Sequence, residues 1–240
     1  MRVDIFLWTI LFCLSNGTAT AQDDYSYRKG YRLVFEEPFD TLRDKTWVRK
    51  SHTFESNLAR FNHHNTDIND GKLQLRVRKE EKGSKAFSAA EIRSRKKFSY
   101  GLFEVKMKAA DVPGFVTALF GYRSTAGAYA EIDIEITGNN TRRITLNHWI
   151  NEHESHGVDL PLDFNAAQDF HVYAFEWTSS YIRWYADGKM IRETNTNIPA
   201  ARQHIVLNAW ISSAESWAGK VDAEQLPASA VVDWVRYYRK

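Results

Sequence analysis

The sequence predicts an all-β fold, a sandwich or barrel of antiparallel strands, on three observations. Apolar and polar residues alternate with period two from Tyr31 onward, turn signals interrupt that alternation at short intervals, and no long segment keeps the apolar stripe of an amphipathic helix. Strands in close succession without intervening helices build sandwiches and barrels rather than parallel α/β sheets.

At the N-terminus Arg2 precedes an apolar run over residues 5–14, and Ala19-Thr20-Ala21 offers a small-x-small cleavage site, so residues 1–21 read as a secretory signal peptide. The competing reading is a membrane anchor, but the run is well short of the ~20 residues a bilayer span needs. Asp4 is untypical of the charged end of a signal, and a lipid-modified Cys13 would lack small neighbours. Residues 22–240 are then expected to form a single domain, monomeric, secreted or periplasmic, without membrane contact after cleavage. Cys13 is the only cysteine. The processed chain therefore has no disulfide, cysteine metal site or thiol chemistry to draw on. Its stability has to come from a large core, for which 43% hydrophobic residues with 8 Trp, 11 Tyr and 14 Phe suffice.

Residues 73–77, 102–107 and 172–177 alternate and are expected as half-buried strands. Turn signals stand at 69–71 (Asn-Asp-Gly), 113–114 (Pro-Gly), 138–140 (Gly-Asn-Asn) and 186–188 (Ala-Asp-Gly). Residues 181–191 read as a hairpin about the last of these. The charged stretch 79–85 is expected as an exposed loop, and 195–203 and 213–227 as irregular segments. A formal net charge of +2 argues against nucleic acid or an anionic membrane as partner. The many Trp and Tyr rings are mostly core, yet flat amphipathic rings also stack on sugars.

Residues 130–137 alternate without a break. Three isoleucines take one face of the strand, and Glu131, Asp133 and Glu135 share the other. Like charges so placed repel. One explanation is a solvated outer strand kept soluble by its acids. The other is chemistry: residues four apart are ~13 Å apart along the backbone, and two glutamates leaning inward close most of that gap. They can then approach the ~5–5.5 Å at which one carboxylate attacks an anomeric carbon while the other protonates the leaving oxygen, with retention of configuration. Asp133 between them can keep the two pKa values apart.

At these residues the chain resembles glycoside hydrolase family 16, and within it the bacterial lichenase (endo-β-1,3-1,4-glucanase) branch. The resemblance runs over most of residues 22–240 and rests on seven blocks in order. They are Glu-Pro-Phe at 37–39, Asn-Asp-Gly-Lys-Leu at 69–73, Ala-Glu-Ile-Arg-Ser at 90–94 and Tyr-Gly-Leu-Phe-Glu-Val-Lys-Met-Lys at 100–108. Glu-Ile-Asp-Ile-Glu at 131–135, Phe-His-Val-Tyr-Ala-Phe-Glu-Trp at 170–177 and Asp-Trp-Val-Arg-Tyr at 233–237 complete the set. The resemblance implies a jelly-roll β-sandwich of two antiparallel sheets with an open concave cleft. It also implies Glu131 as nucleophile, Glu135 as general acid/base, Asp133 as their partner, and no cofactor for catalysis. The motif is the form without an extra residue before the last glutamate, which favours the lichenase and xyloglucan-active branches over laminarinase-like members.

By the same resemblance Glu91 and Arg93 match cleft positions that bind sugar hydroxyls, although a surface ion pair is an equal reading. Asn147, Asn208, Trp210 and Trp217 match cleft positions, Phe120 and Tyr122 match aromatics before the acidic strand, and Trp149 takes the place of a cleft tyrosine. Pro38, Gly71 and Asp233 match ligands of a structural calcium; as turn and strand-end residues they need no metal. Oxygen ligands of this kind suit calcium. Several positions depart from the branch. Tyr129 stands where lichenases have tryptophan, Ala130 replaces an acid, the loop 123–128 is shorter, 136–138 (Ile-Thr-Gly) replace Phe-Leu-Gly, and the lichenase cysteine pair is absent.

The expected substrate is therefore a β-glucan, with mixed-linkage β-1,3-1,4-glucan leading. An exopolysaccharide or xyloglucan-like chain, with hydrolysis or transglycosylation, is the alternative within the family. A non-catalytic carbohydrate-binding sandwich is the alternative outside it, and all three acids argue against that. His63, His64, His148, His153 and His156 are too loosely spaced for a zinc motif. No Gly-rich phosphate loop and no Gly-x-Ser-x-Gly turn is present.

Overall fold

The computed structural model describes residues 25–125, 128–151 and 156–240, so the expected signal peptide with Cys13, part of the 123–128 loop and His153 lie outside the described residues. Sixteen strands follow in order: β1 (Arg32–Glu37), β2 (Trp47–Arg49), β3 (Ala59–Phe61), β4 (Thr66–Asn69), β5 (Lys72–Lys82), β6 (Lys85–Phe98), β7 (Gly101–Lys108) and β8 (Phe115–Thr125). Then come β9 (Ala128–Thr137), β10 (Arg143–Trp149), β11 (Val158–Pro161), β12 (His171–Trp177), β13 (Ile182–Ala186), β14 (Lys189–Thr194), β15 (Gln203–Ile211) and β16 (Ala228–Arg239). Among the described residues the one α-helix is a single turn, Glu215–Ala218.

The strands run in the order β11-β10-β9-β8-β15-β6-β5-β16-β7-β12-β13-β14. Two antiparallel layers share the β5–β6 hairpin: β5 pairs with β16 through residues 73–77 and with β6 further along, while β6 goes on to β15. Sequence-distant β15 is inserted between β8 and β6, and β16 between β5 and β7, which is the crossing connectivity of a jelly roll.

The alternating segments fold as expected because each buries one face. Leu73, Leu75 and Val77 of β5 are fully buried, as are Ile132 and Ile134 of β9 and Val105 and Met107 of β7. Within one layer Phe103 of β7 stacks on its cross-strand neighbour Phe175 of β12, with ring centroids 4.6 Å apart. The Trp184 indole of β13 reaches across to donate to the Asp133 carbonyl of β9 at 3.2 Å, tying the acidic strand to the opposite layer. The β4–β5 and β13–β14 hairpins turn on Asp70-Gly71 and Asp187-Gly188, with all four residues at positive φ. Such a turn matches the twist of the flanking strands and requires residues of this kind.

One expectation changes. Residues 79–85 are no loop: β5 extends to Lys82 and β6 starts at Lys85, with an irregular register between Lys79 and Lys82. Backbone pairing is indifferent to the charge of side chains that project into solvent, so a charged run still extends a hairpin.

Candidate active site

Strand β9 lies between β8 and β10 without a register break over the acidic residues. Cross-strand neighbours share a face, so each acid has a defined pair of flanking residues. Glu131 lies between Tyr122 and Trp149, Asp133 between Phe120 and Asn147, and Glu135 between Ala118 and Thr145. The isoleucines point into the core, and the three acids point into a cleft of about 710 Å³.

The other expected cleft residues line the same space. Phe120 and Tyr122 come from β8, Tyr129 from β9, and Asn147 and Trp149 from β10. Glu91 and Arg93 come from β6, Asn208 and Trp210 from β15, and Trp217 from the single helical turn. Glu91 is buried and accepts from Asn208 Nδ2 at 3.3 Å, so the surface ion pair does not describe it. The Trp217 indole donates to Thr145 Oγ1 at 2.9 Å, and Thr145 donates to Asp159 at 2.6 Å, which props this wall beside Glu135.

The sequence reading missed Lys50, His52, Phe54, Ser56, Ser124 and Val206, which also line the cleft. Lys50, His52, Phe54 and Ser56 follow the three-residue strand β2, too short for alternation to show which side chains face inward. Phe54 beside polar residues was the only local signal there.

Desolvation in the wall of the cleft governs the electrostatics. It pushes Glu131 up to about 7, a rise restrained by hydrogen bonds from Tyr129 and Asp133. Glu135 is pushed up to about 8, first by burial, then by the charges of Glu131 and Asp159. Asp133 is raised well above the usual carboxylate range, again by burial first and then by its two neighbours, so it keeps its proton and donates to Glu131. Two hydrogen-bond donors lower Glu131, whereas no donor lowers Glu135 and two anionic neighbours raise it, so the surroundings favour the proton on position 135, as a proton donor beside a nucleophile requires.

Among the described residues no group of three or more His, Cys, Asp or Glu converges as a metal site. His148 and His156 stack on each other, with centroids 4.6 Å apart. At the expected calcium position the Asp233 carboxylate lies 3.5 Å from Lys106 Nζ and 4.0 Å from Lys72 Nζ, so two ammonium groups already neutralise it. A cation bound there would have to compete with both lysines for the carboxylate.

Comparison with known proteins agrees with this geometry. The β-glucanase of Paenibacillus polymyxa is 36% identical over 216 residues, covering 85% of this chain and 87% of its own length. The β-glucanase of Brevibacillus brevis is 32% identical over 210 residues, covering 85% and 81% respectively. Among solved structures, a prokaryotic β-1,3-1,4-glucanase (lichenase) derived from a mouse hindgut metagenome superposes with a TM-score of 0.81 at 33% identity, covering 85% of this chain and 97% of that one. The laminarinase catalytic domain of Thermotoga maritima, at 20% identity and a TM-score of 0.80, shares the fold. The model of the glycosyl hydrolases family 16 matches residues 54–236, and the chain belongs to that family.

Proposed function

We propose that the protein is a retaining, endo-acting β-glucan hydrolase whose leading substrate is mixed-linkage β-1,3-1,4-glucan. The observation that carries this reading is the trio of acids on the cleft face of β9, flanked by the aromatic and amide side chains of β8 and β10. In the first step a Glu131 oxygen bonds to the anomeric carbon as the glycosidic C–O bond breaks, and Glu135 gives its proton to the departing oxygen. In the second, Glu135 takes a proton from water, whose oxygen displaces Glu131 from the sugar and restores the starting configuration. Asp133, kept neutral, donates to Glu131 and steadies its ionised form. A cleft open across the sheet suits an internal stretch of polymer, and the printed activities of the relatives support a β-glucan.

The test is incubation with mixed-linkage glucan, followed by viscosity, new reducing ends and the anomer first released. A fast viscosity drop with retained anomer is expected. Glu131→Ala should abolish hydrolysis while oligosaccharide binding persists; undiminished hydrolysis would remove Glu131 as nucleophile. Parallel incubation with xyloglucan and bacterial exopolysaccharides separates the alternatives within the family, which the departures at 128–138 keep in view.

No helix among the described residues is long and apolar enough to cross a membrane. Export after cleavage at Ala21 and a monomeric state belong to the same proposal, and N-terminal sequencing and light scattering read them. A structural calcium at Pro38, Gly71 and Asp233 has to displace Lys72 and Lys106 from the carboxylate. A rise in Tm on adding calcium, reversed by chelator, supports that site; no shift removes it.

A further inference from the structure

The cleft has a second charged region whose sign is opposite to that of the acidic strand. Glu135 pairs across β8 and β15 with the row Ala118, Asn208 and Glu91, and the Lys50 amide on the far side of β6 donates to the Glu91 carbonyl. Three to four strand spacings of about 4.8 Å therefore separate Glu135 from the Glu91 and Lys50 positions. Lys50, His52 and Arg93 line that far end of the cleft, all partly buried.

Their charges are not matched. Among the described residues neither Lys50 nor Arg93 has an ion-pair partner within 4.0 Å; Glu91 comes within that range of His52 alone, at 3.8 Å. Glu91 is the only carboxylate lining this end, buried and held by Asn208. One carboxylate at most therefore faces two permanent cations. Burial, and then Arg93, lowers the Lys50 ammonium, while burial and the charges of Lys50, Arg60 and Arg93 lower His52. These cations repel one another in a partly desolvated groove, where an incoming anion relieves the repulsion.

The geometry points to a subsite, formed by Lys50, His52 and Arg93, that accepts an anionic substituent of the glycan, a carboxylate or a sulfate ester. The ionised Glu131 carboxylate at the other end repels the same substituent, so the two ends together set which way and in which register a substituted chain lies along the cleft. This rests on the reading of the cleft as a β-glucan site and extends its substrate class to glucan chains carrying acidic groups at intervals.

Binding to the inactive Glu131→Ala variant tests it. The probes are mixed-linkage glucan oligosaccharides of one length in three forms: unmodified, with some primary hydroxyls oxidised to carboxylates, and with sulfate esters. The anionic forms are expected to bind about three- to tenfold more tightly at ~20 mM salt, with the preference shrinking towards 200 mM. The better of the two anionic arms identifies the substituent. Lys50→Met in the same background should erase most of the preference, and Lys50→Arg should restore it. Equal or weaker binding of both anionic forms overturns the subsite, as does a preference that survives Lys50→Met. If unmodified glucan also fails to bind, the glycan reading of the cleft falls together with the subsite.

Discussion

Glu135 on β9 and Glu176 on β12 are glutamates held by antiparallel strands in opposite layers, and their carboxyl groups are driven in opposite directions. Burial raises both. At Glu135 nothing offsets it, and the charges of Glu131 and Asp159 add to the rise, to about 8. At Glu176, only 4% exposed, hydrogen bonds outweigh burial and hold the group below its ordinary value. Tyr31 donates at 2.7 Å, Tyr181 at 2.9 Å, Tyr185 at 3.1 Å and Lys240 at 3.2 Å. The difference teaches that burial alone does not mark a reactive carboxylate. What marks a proton-donating carboxylate such as Glu135 is burial with donors withheld, so that the proton remains available for transfer.

Breaking the reactive half of this comparison has the largest expected effect. Glu131→Ala should lower kcat/KM by roughly 10⁴-fold or more, and Glu135→Gln by about 10²- to 10⁴-fold. Both are read by reducing-end assays on a β-glucan.

The next effect is on pH. In the proposed roles Glu131 has to be ionised to attack and Glu135 protonated to give its proton, and the two are raised to about 7 and about 8. The profile of kcat/KM should therefore be a narrow bell with limbs near those values. Asp133→Ala removes a donor from the Glu131 carboxylate, so its acidic limb should move to higher pH, whereas Asp133→Asn keeps a donor and should move it less.

Stability sharpens the comparison further. The folded Glu135 titrates above its unfolded value near 4.5, so its contribution to stability is fully present below that value and is lost as pH rises through about 8. Glu135→Gln should consequently raise Tm at pH 8 by roughly 2–6 °C and change little near pH 4. Glu176 is the mirror case. Its depressed folded value adds stability above the unfolded value, which is lost as pH falls through the folded one. Glu176→Gln should lower stability by about 1–3 kcal/mol at pH 7, with the deficit closing in acid and hydrolysis little changed.

Much of this was legible along the chain, because strand alternation and turn chemistry are local. The period-two run at 130–137 assigns isoleucines and acids to opposite faces whatever the strand pairs with, and Asp-Gly pairs specify their turns by backbone sterics alone. The family resemblance, matched position by position, then pointed to Glu91, Arg93, Asn208 and the cleft aromatics, which the fold gathers around one groove.

Three things were decided only when distant segments met. The charged stretch 79–85 became a hairpin because backbone pairing, not side-chain polarity, extends strands. The proton order of Glu131 and Glu135 arises from desolvation by β8, β10 and the facing layer, and from donors two residues or a strand away. The basic end of the cleft exists because β2 docks on β6 and sets Lys50 beside Glu91, some forty residues apart in the chain. By itself the sequence determined which face each side chain takes, since that depends on neighbours along one strand. Which charges confront each other, and how strongly, depends on separation and exclusion of water, and those are properties of the assembled sandwich.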